Sequence, residues 1–285
     1  MKLLITAQKI DIHDPILGFF HAWVEEFSKR ADFVTVICLQ KGDHNLPDNV
    51  KVLSLGKESY SQDSHFIRRF VSFYRFYKYI WQERKNYDAV FVHMNQEYVL
   101  LGGLPWILSG KKVFMWRNHH AGNFFTDIAS LFCNKIFCTS RYSYTAKYKK
   151  IVLMPVGADT GIFKPTDSIK RIPNSFLFLG RISPSKNVDV FVEALGLLKK
   201  QGIVFVANIY GDALPKNAGY LEKLKLRSRE LNLDTIVKFH VGVPNYQTPE
   251  IYNQHEIFIN LSSSGMYDKT IFEAMACGCL TLASN

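Results

Sequence analysis

No apolar run in this sequence approaches the roughly 18 residues that a helix needs to span a bilayer. The opening MKLLITAQKI also lacks an apolar core followed by a small-residue cleavage site. Polar Gln8, Lys9 and Asp11 arrive too early for a signal peptide, so the segment reads as a first buried strand and the expected location is cytoplasmic. Cysteine is scarce: Cys38, Cys133, Cys138, Cys277 and Cys279 are five in number. The count is odd and the spacing is not that of metal ligands, Cys277-Gly-Cys279 being the only close pair. Small buried thiols in a reducing compartment fit better. No low-complexity tract or short-period repeat interrupts the chain. No G-x-G-x-x-G follows either first strand, which argues against a dinucleotide-dependent oxidoreductase.

What is present is ordinary globular material, 47% hydrophobic and 21% charged over 285 residues, enough for two cores. The net charge of +10 is uneven: residues 1–165 carry 22 Lys and Arg against 14 Asp and Glu, residues 166–285 carry 13 against 11. A basic first half points to an anionic partner, whether phosphate, an acidic lipid surface or nucleic acid. No recognised module accompanies the charge, so nucleic acid is set aside.

Apolar strands alternate with amphipathic helices, the pattern of parallel sheets with helical crossovers. In the first half, strands are expected at 2–7, 33–39, 50–55, 89–93, 112–116, 135–139 and 151–154, with helices over 18–30, 67–85 and 99–108. Residues 155–170 contain two prolines, two glycines and little periodicity, as a linker does. The alternation then restarts, with strands at 175–179, 204–210, 237–241, 257–261 and 280–283 and helices over 187–200, 220–231, 247–254 and 269–277. Domains are therefore expected over 1–165 and 171–285. Two such α/β halves make an α/β protein of two Rossmann-like domains facing a cleft, where a ligand would bind.

Two segments carry chemistry. In FLFLGRISPSKNVDVFVEAL a buried strand ends at Gly180, and Arg181 and Lys186 flank a short loop that opens a helix. Glycine admits close backbone approach, a helix start offers N–H groups, and two cations suit a diphosphate. An ordinary strand–loop–helix connection reads the same way. In SSSGMYDKTIFEAMACGCLTLASN a Ser-rich loop leads into a helix carrying Glu273. That carboxylate suits a ribose diol, or is a solvated glutamate favouring the helix dipole.

Taken in order, GRISPSKNVDVFVEAL, IYGDA, VKFHVGVPNYQTPEIYNQHEIFINLS and FEAMACGCLTLAS resemble the donor-binding half of family-4 (group 1) retaining glycosyltransferases of GT-B fold. LMPVGADTGIFKP resembles their inter-domain stretch. The resemblance is specific from about Leu153 to Asn285. It implies that Arg181 and Lys186 grip the donor diphosphate and that Glu273 holds the ribose hydroxyls. Gly242, Val243 and Pro244 would line the base pocket, and Gly180, Gly211 and Asp212 would sit at strand ends facing the cleft. Gly18 lies where the family keeps a glycine-rich loop, and His119 or His120 would touch the transferred sugar. No metal or other cofactor is implied; the partners are a nucleotide-sugar donor and a glycan or lipid-linked acceptor.

Two departures stand out. The family's carboxylate pair is Glu-x7-Glu, and its first position falls on Gly265. Asp268 and Lys269 lie nearby: Asp268 would serve sugar hydroxyls, with Lys269 near phosphate, or Asp268 would be a helix N-cap. The chain also ends at Asn285, which implies an incomplete second domain. On the acceptor side, Phe70, Tyr74, Tyr77 and Trp81 gather on one face of a helix edged by Arg68, Arg75, Lys78 and Lys85. Such a helix either packs its aromatics on the sheet as a crossover or lies on an anionic membrane, making the protein peripheral at the inner face of the plasma membrane. Expected function is retaining transfer of a sugar to an acceptor hydroxyl. A sugar-nucleotide epimerase and a non-catalytic nucleotide-sugar-binding protein or fragment are the alternatives.

Overall fold

A computed structural model describes residues 1–59, 65–262 and 267–284. The chain divides into two compact units, Met1–Met154 and Pro155–Asn285.

Unit 1 is a parallel sheet built from β1 (Lys2–Ile10), β2 (Phe33–Lys41), β3 (Val50–Ser54), β4 (Ala89–His93), β5 (Lys112–Trp116), β6 (Lys135–Cys138) and β7 (Ile151–Leu153), in the order β3-β2-β1-β4-β5-β6-β7. β1 and β2 run past their apolar stretches, because Lys9 and Ile10 continue the ladder opposite Gln40 and Lys41. The charge of Lys9 is met there by Asp11 at 3.0 Å and Asp14 at 2.7 Å. The helix α1 (Phe19–Ser28) covers one face, packing Phe20 and Val24 on Ile5 and Val36. The helices α2 (His65–Gln82), α3 (Glu97–Leu108) and α4 (Phe124–Phe132) cover the other.

α4 is absent from the sequence-based expectation. Its apolar residues recur at helical spacing, but Phe124, Phe125 and Leu131 are exposed, while Thr126, Ala129 and Ser130 are buried. A capping box starts it: Asn123 accepts from the Thr126 amide at 3.2 Å, and the Asn123 amide donates to Thr126 Oγ1 at 3.1 Å.

The expected aromatic face of α2 is corrected in part. The inward stripe is Phe76 and Ile80, with Tyr77 half-buried. Phe70, Tyr74 and Trp81 point outward, 65%, 61% and 67% exposed, so they do not pack on the sheet. Tyr77 has a specific task. Pro105, inside α3, has no N–H for the Leu101 carbonyl one turn back. Tyr77 donates to that oxygen instead, at 2.8 Å. Tyr77→Phe leaves the carbonyl unpaired and is expected to cost about 1–3 kcal/mol, read as a lower midpoint in urea unfolding with an unchanged slope.

Unit 2 has β8 (Ser175–Leu179), β9 (Val206–Tyr210), β10 (Val237–His240), β11 (Ile257–Asn260) and β12 (Leu280–Ala283), all parallel in the order β10-β9-β8-β11-β12. On one face α5 (Val188–Lys200) and α6 (Ala218–Glu230) bury Phe191, Leu195 and Leu224. On the other, α7 (Thr248–Gln254) and α8 (Lys269–Ala276) bury Tyr252, Ala274 and Cys277. The stretch after Pro155 is partly built in: Phe163 is buried in this second cluster, and the Thr166 amide donates to Asn253 at 2.9 Å.

Candidate donor site in unit 2

The C-terminal ends of β8, β9, β10 and β11 converge, and most of the residues singled out from the sequence lie there. Gly180 and Gly211 end the two central strands at φ +156° and +154°. The Gly180 amide donates to the Tyr210 carbonyl at 3.0 Å, and a Cβ on Gly211 would strike the Gly180 carbonyl oxygen. Beside Gly180 a Cβ would meet only Phe178, at 3.9 Å, so the backbone there borders open space. Asp212 Oδ1 accepts from the Gly242 amide at 3.1 Å, tying the end of β9 to that of β10. Val243 packs on the cluster around Tyr252, and Pro244 starts a short 3-10 turn at 245–247.

Arg181 is exposed, and its guanidinium takes no hydrogen bond or ion pair among the described residues. Lys186 sits in a one-turn 3-10 segment, and α5 begins only after Asn187, which adopts a left-handed conformation at φ 49°. The Asp189 amide in the first turn of α5 is taken by the Tyr220 hydroxyl at 3.2 Å, so that N–H is not free for a ligand.

Lys186 Nζ donates to Ser262 Oγ at 2.8 Å and pairs with Asp268. The same carboxylate oxygen accepts from Ser262 Oγ at 2.6 Å and from Asn260 Nδ2 at 2.9 Å. Asn187 Nδ2 adds a bond to the Leu261 carbonyl at 2.7 Å. Asp268 does stand at the N-cap position of α8, but its side chain makes no capping bond, so the capping alternative is corrected: the carboxylate is spent on Lys186. Burial pushes Asp268 up, yet the Lys186 charge and these hydrogen bonds hold it below the ordinary carboxylate range.

Glu273 is 2% exposed, which overturns the solvated-glutamate alternative. Lys269 Nζ lies 3.0 Å from its Oε1, Tyr252 donates to Oε2 at 3.4 Å and Asn245 Nδ2 approaches at 3.5 Å. Burial, then the Glu273 charge, push the Tyr252 hydroxyl well above its usual range and keep it a donor. The supporting set of Asn245, Tyr252, Asn260 and Ser262 was not found from the sequence. Each lies in a segment that carried the resemblance, but its partner is distant along the chain or across a turn. Gly265 lies outside the described residues.

The other predicted positions belong to unit 1. Gly18 is buried where a Cβ would stand 2.5 Å from the Asp14 carbonyl oxygen, so its local need is steric. His119 and His120 follow β5, exposed, with rings stacked at 4.6 Å. The Ala121 amide donates to His119 Nδ1 at 2.9 Å. Among the described residues no three His, Cys, Asp or Glu side chains converge to hold a metal ion, and no helix is long and apolar enough to cross a membrane.

The depressed Asp268 value fixes a pH dependence. Its contribution to stability is complete above the unfolded carboxylate value, ~3.9, and is lost as pH falls through the lower folded one. Asp268→Asn is expected to flatten the acid limb of a melting-temperature profile below about pH 4. An acid limb identical to that of the parent protein would show that the pair contributes nothing to stability.

Residues 163–285 match the family model of glycosyl transferases group 1. Among curated proteins, the GtfA subunit of the UDP-N-acetylglucosamine–peptide N-acetylglucosaminyltransferase of Streptococcus parasanguinis is 26% identical over 176 residues, 58% of this chain and 32% of that protein. The D-inositol 3-phosphate glycosyltransferase of Acidothermus cellulolyticus is 28% identical over 153 residues, 50% of this chain and 34% of that one. The chain thus spans about a third of the length of the curated relatives it matches. Among solved structures, Anabaena HepE in complex with UDP and glucose aligns over 99% of this chain and 80% of its own at TM-score 0.75 and 18% identity. Sucrose-phosphate synthase from Thermosynechococcus elongatus aligns over 99% and 81% at 0.73 and 14%. At such identities the likeness is one of fold, the GT-B glycosyltransferase fold. The match to the group 1 glycosyl transferases thus lies in the second unit of this chain.

Proposed function

We propose that this chain transfers a sugar from a nucleoside diphosphate sugar to an acceptor hydroxyl, with retention at the anomeric carbon and without a metal. The observation that carries the reading is Arg181, an exposed guanidinium with no hydrogen bond or ion pair among the described residues, beside the open backbone at Gly180 and near a Lys186–Asp268 joint that fixes the adjoining turn. In this reading the bond from the anomeric carbon to the diphosphate breaks as Arg181 and Lys186 take up the charge of the leaving group. The acceptor oxygen bonds to the anomeric carbon on the same face, and its proton passes to the departing diphosphate. Glu273 would receive the ribose hydroxyls and Asp268 or Lys269 the sugar or phosphate. His119, whose ring accepts from the Ala121 amide, is the better-held of the two histidines for a sugar hydroxyl. UDP is the favoured nucleotide, since similar solved structures hold UDP, UDP and glucose, or UDP-glucose. A glycan or lipid-linked acceptor, a cytoplasmic location and a peripheral contact of α2 with an anionic membrane belong to the same proposal. Epimerisation fits less well, because the two carboxylates at these strand ends are each already paired with a lysine.

Calorimetric titration with UDP, GDP and ADP in the presence of a chelator tests the site. UDP is expected to bind selectively, and Arg181→Ala to weaken it by roughly tenfold to a hundredfold through loss of a charge-assisted contact. Full affinity in Arg181→Ala removes the diphosphate assignment. Transfer to acceptor, or hydrolysis of the donor, separates catalysis from binding alone.

Glu273→Gln is expected to weaken UDP by about tenfold and also to destabilise unit 2 by removing the buried carboxylate that pairs with Lys269. The double variant Glu273→Gln/Lys269→Gln should recover the melting temperature but not the affinity. Recovery of both would make Glu273 a structural residue only.

A further inference from the structure

Unit 1 contains a cavity of about 850 Å³ under the N-terminal half of α2, between it, the start of α3 and the ends of β2 and β3. Its size is within the ~300–1,000 Å³ usual for a small-molecule site. Leu39, Leu55 and Leu101 line it from the sheet and α3, and Phe70, Phe73 and Phe76 from α2. That part of the lining offers water no partners and suits hydrocarbon.

The lining also has a charged part, made by Lys57, Arg68 and Arg69 with one acid, Glu97. The Nε of Arg68 is buried and has no hydrogen-bond partner among the described residues. A buried donor left unmatched is costly, so its presence beside an apolar cavity calls for an anion. The wider field agrees. Residues 65–150 carry fourteen Lys and Arg against four Asp and Glu, a surplus equal to that of the entire chain. Phe66 and Phe70, which also border the cavity, are 80% and 65% exposed. The Tyr77 bond to the Leu101 carbonyl fixes α2 on α3, so the space is held by a specific contact rather than left by loose packing.

We propose that this cavity is a lipid-chain site, taking the hydrocarbon tail of a phosphate-bearing lipid whose phosphate sits on Arg68. The cavity borders the C-terminal ends of β2 and β3 and the residues just after β4, the end at which open parallel sheets bind their substrates. The lipid is therefore assigned as the tail of a lipid-linked acceptor rather than a bilayer phospholipid. That assignment rests on the proposed transferase activity; the presence of the site does not.

The test is calorimetry on the whole chain, without nucleotide, using inorganic phosphate and butyl, hexyl, octyl and decyl phosphate. Affinity is expected to rise up to about fourfold per added methylene, with inorganic phosphate too weak to measure. Leu100→Trp, which fills the cavity, should flatten that dependence. Arg68→Ala should weaken all chain lengths by about tenfold and leave the slope intact. If Leu100→Trp fails to fold, the exposed Phe70→Ala should still reduce the slope. Affinity independent of chain length overturns the proposal. So does a slope unchanged in the folded cavity variants, or binding to phosphatidylglycerol vesicles without binding to the monomeric phosphates. A UDP titration of the same samples keeps a failed donor site distinct from a failed lipid site.

Discussion

Lys186 reaches from the turn after β8 to the loop before α8, and its ammonium meets Asp268 and Ser262 there, with Asn260 on the same carboxylate. Neither side chain is fully exposed, at 20% and 23%. Removing one partner would strand the other charge in a half-dry setting, which is costlier than the pair is worth. The bond therefore constrains two loops at once: the one bearing Gly180 and Arg181, and the one leading into Glu273. A second pair, Lys269 with Glu273, closes the other side of α8. With both lysines compensated, Arg181 is the uncompensated cation among the residues singled out at this end of unit 2. Under the proposed function, a diphosphate that binds Arg181 would compete with Asp268 for Lys186.

The strands were legible because their apolar, β-branched runs are long and bounded by turn residues, and β4, β5, β8 and β12 begin and end where the pattern placed them. Errors of extent fell where polar residues continue a ladder, as at Lys9, since composition cannot show that a salt bridge will meet the charge. α4 was missed although its apolar residues recur at helical spacing, and it is held by polar contacts to distant residues. Its Asp127 accepts from Tyr144 at 3.0 Å and Tyr148 at 2.6 Å, partners about twenty residues away.

In unit 2 the chain order of motifs placed Gly180, Lys186, Gly211 and Asp268 at adjacent strand ends, because parallel β-α-β crossovers return each strand's C-terminus to the same edge. Local chemistry was read less well. Asp268 has the residue type and position of an N-cap, and Glu273 the residue type of a solvent-facing helix residue. Both are diverted by lysines that a helix turn or a sheet crossing brings within reach. Spacing cannot distinguish a carboxylate waiting for a ligand from one already paired, since that depends on burial.

α2 shows the same limit from the apolar side. A helix on a sheet needs only one stripe for the core, and Phe76 and Ile80 supply it. Phe66, Phe70, Tyr74 and Trp81 are surplus to that need and lie outside. Contiguous exposed aromatic surface is seldom retained on a soluble fold without something to cover it. Here it borders a cavity lined in part by Arg68, whose buried Nε has no partner among the described residues. Packing alone would favour smaller, polar residues on that face and a lysine in place of Arg68, whose ammonium could reach water. Keeping a guanidinium whose Nε is buried makes sense when an acidic group completes it, and a lipid phosphate with its chain in the cavity would satisfy the charge and the apolar lining together.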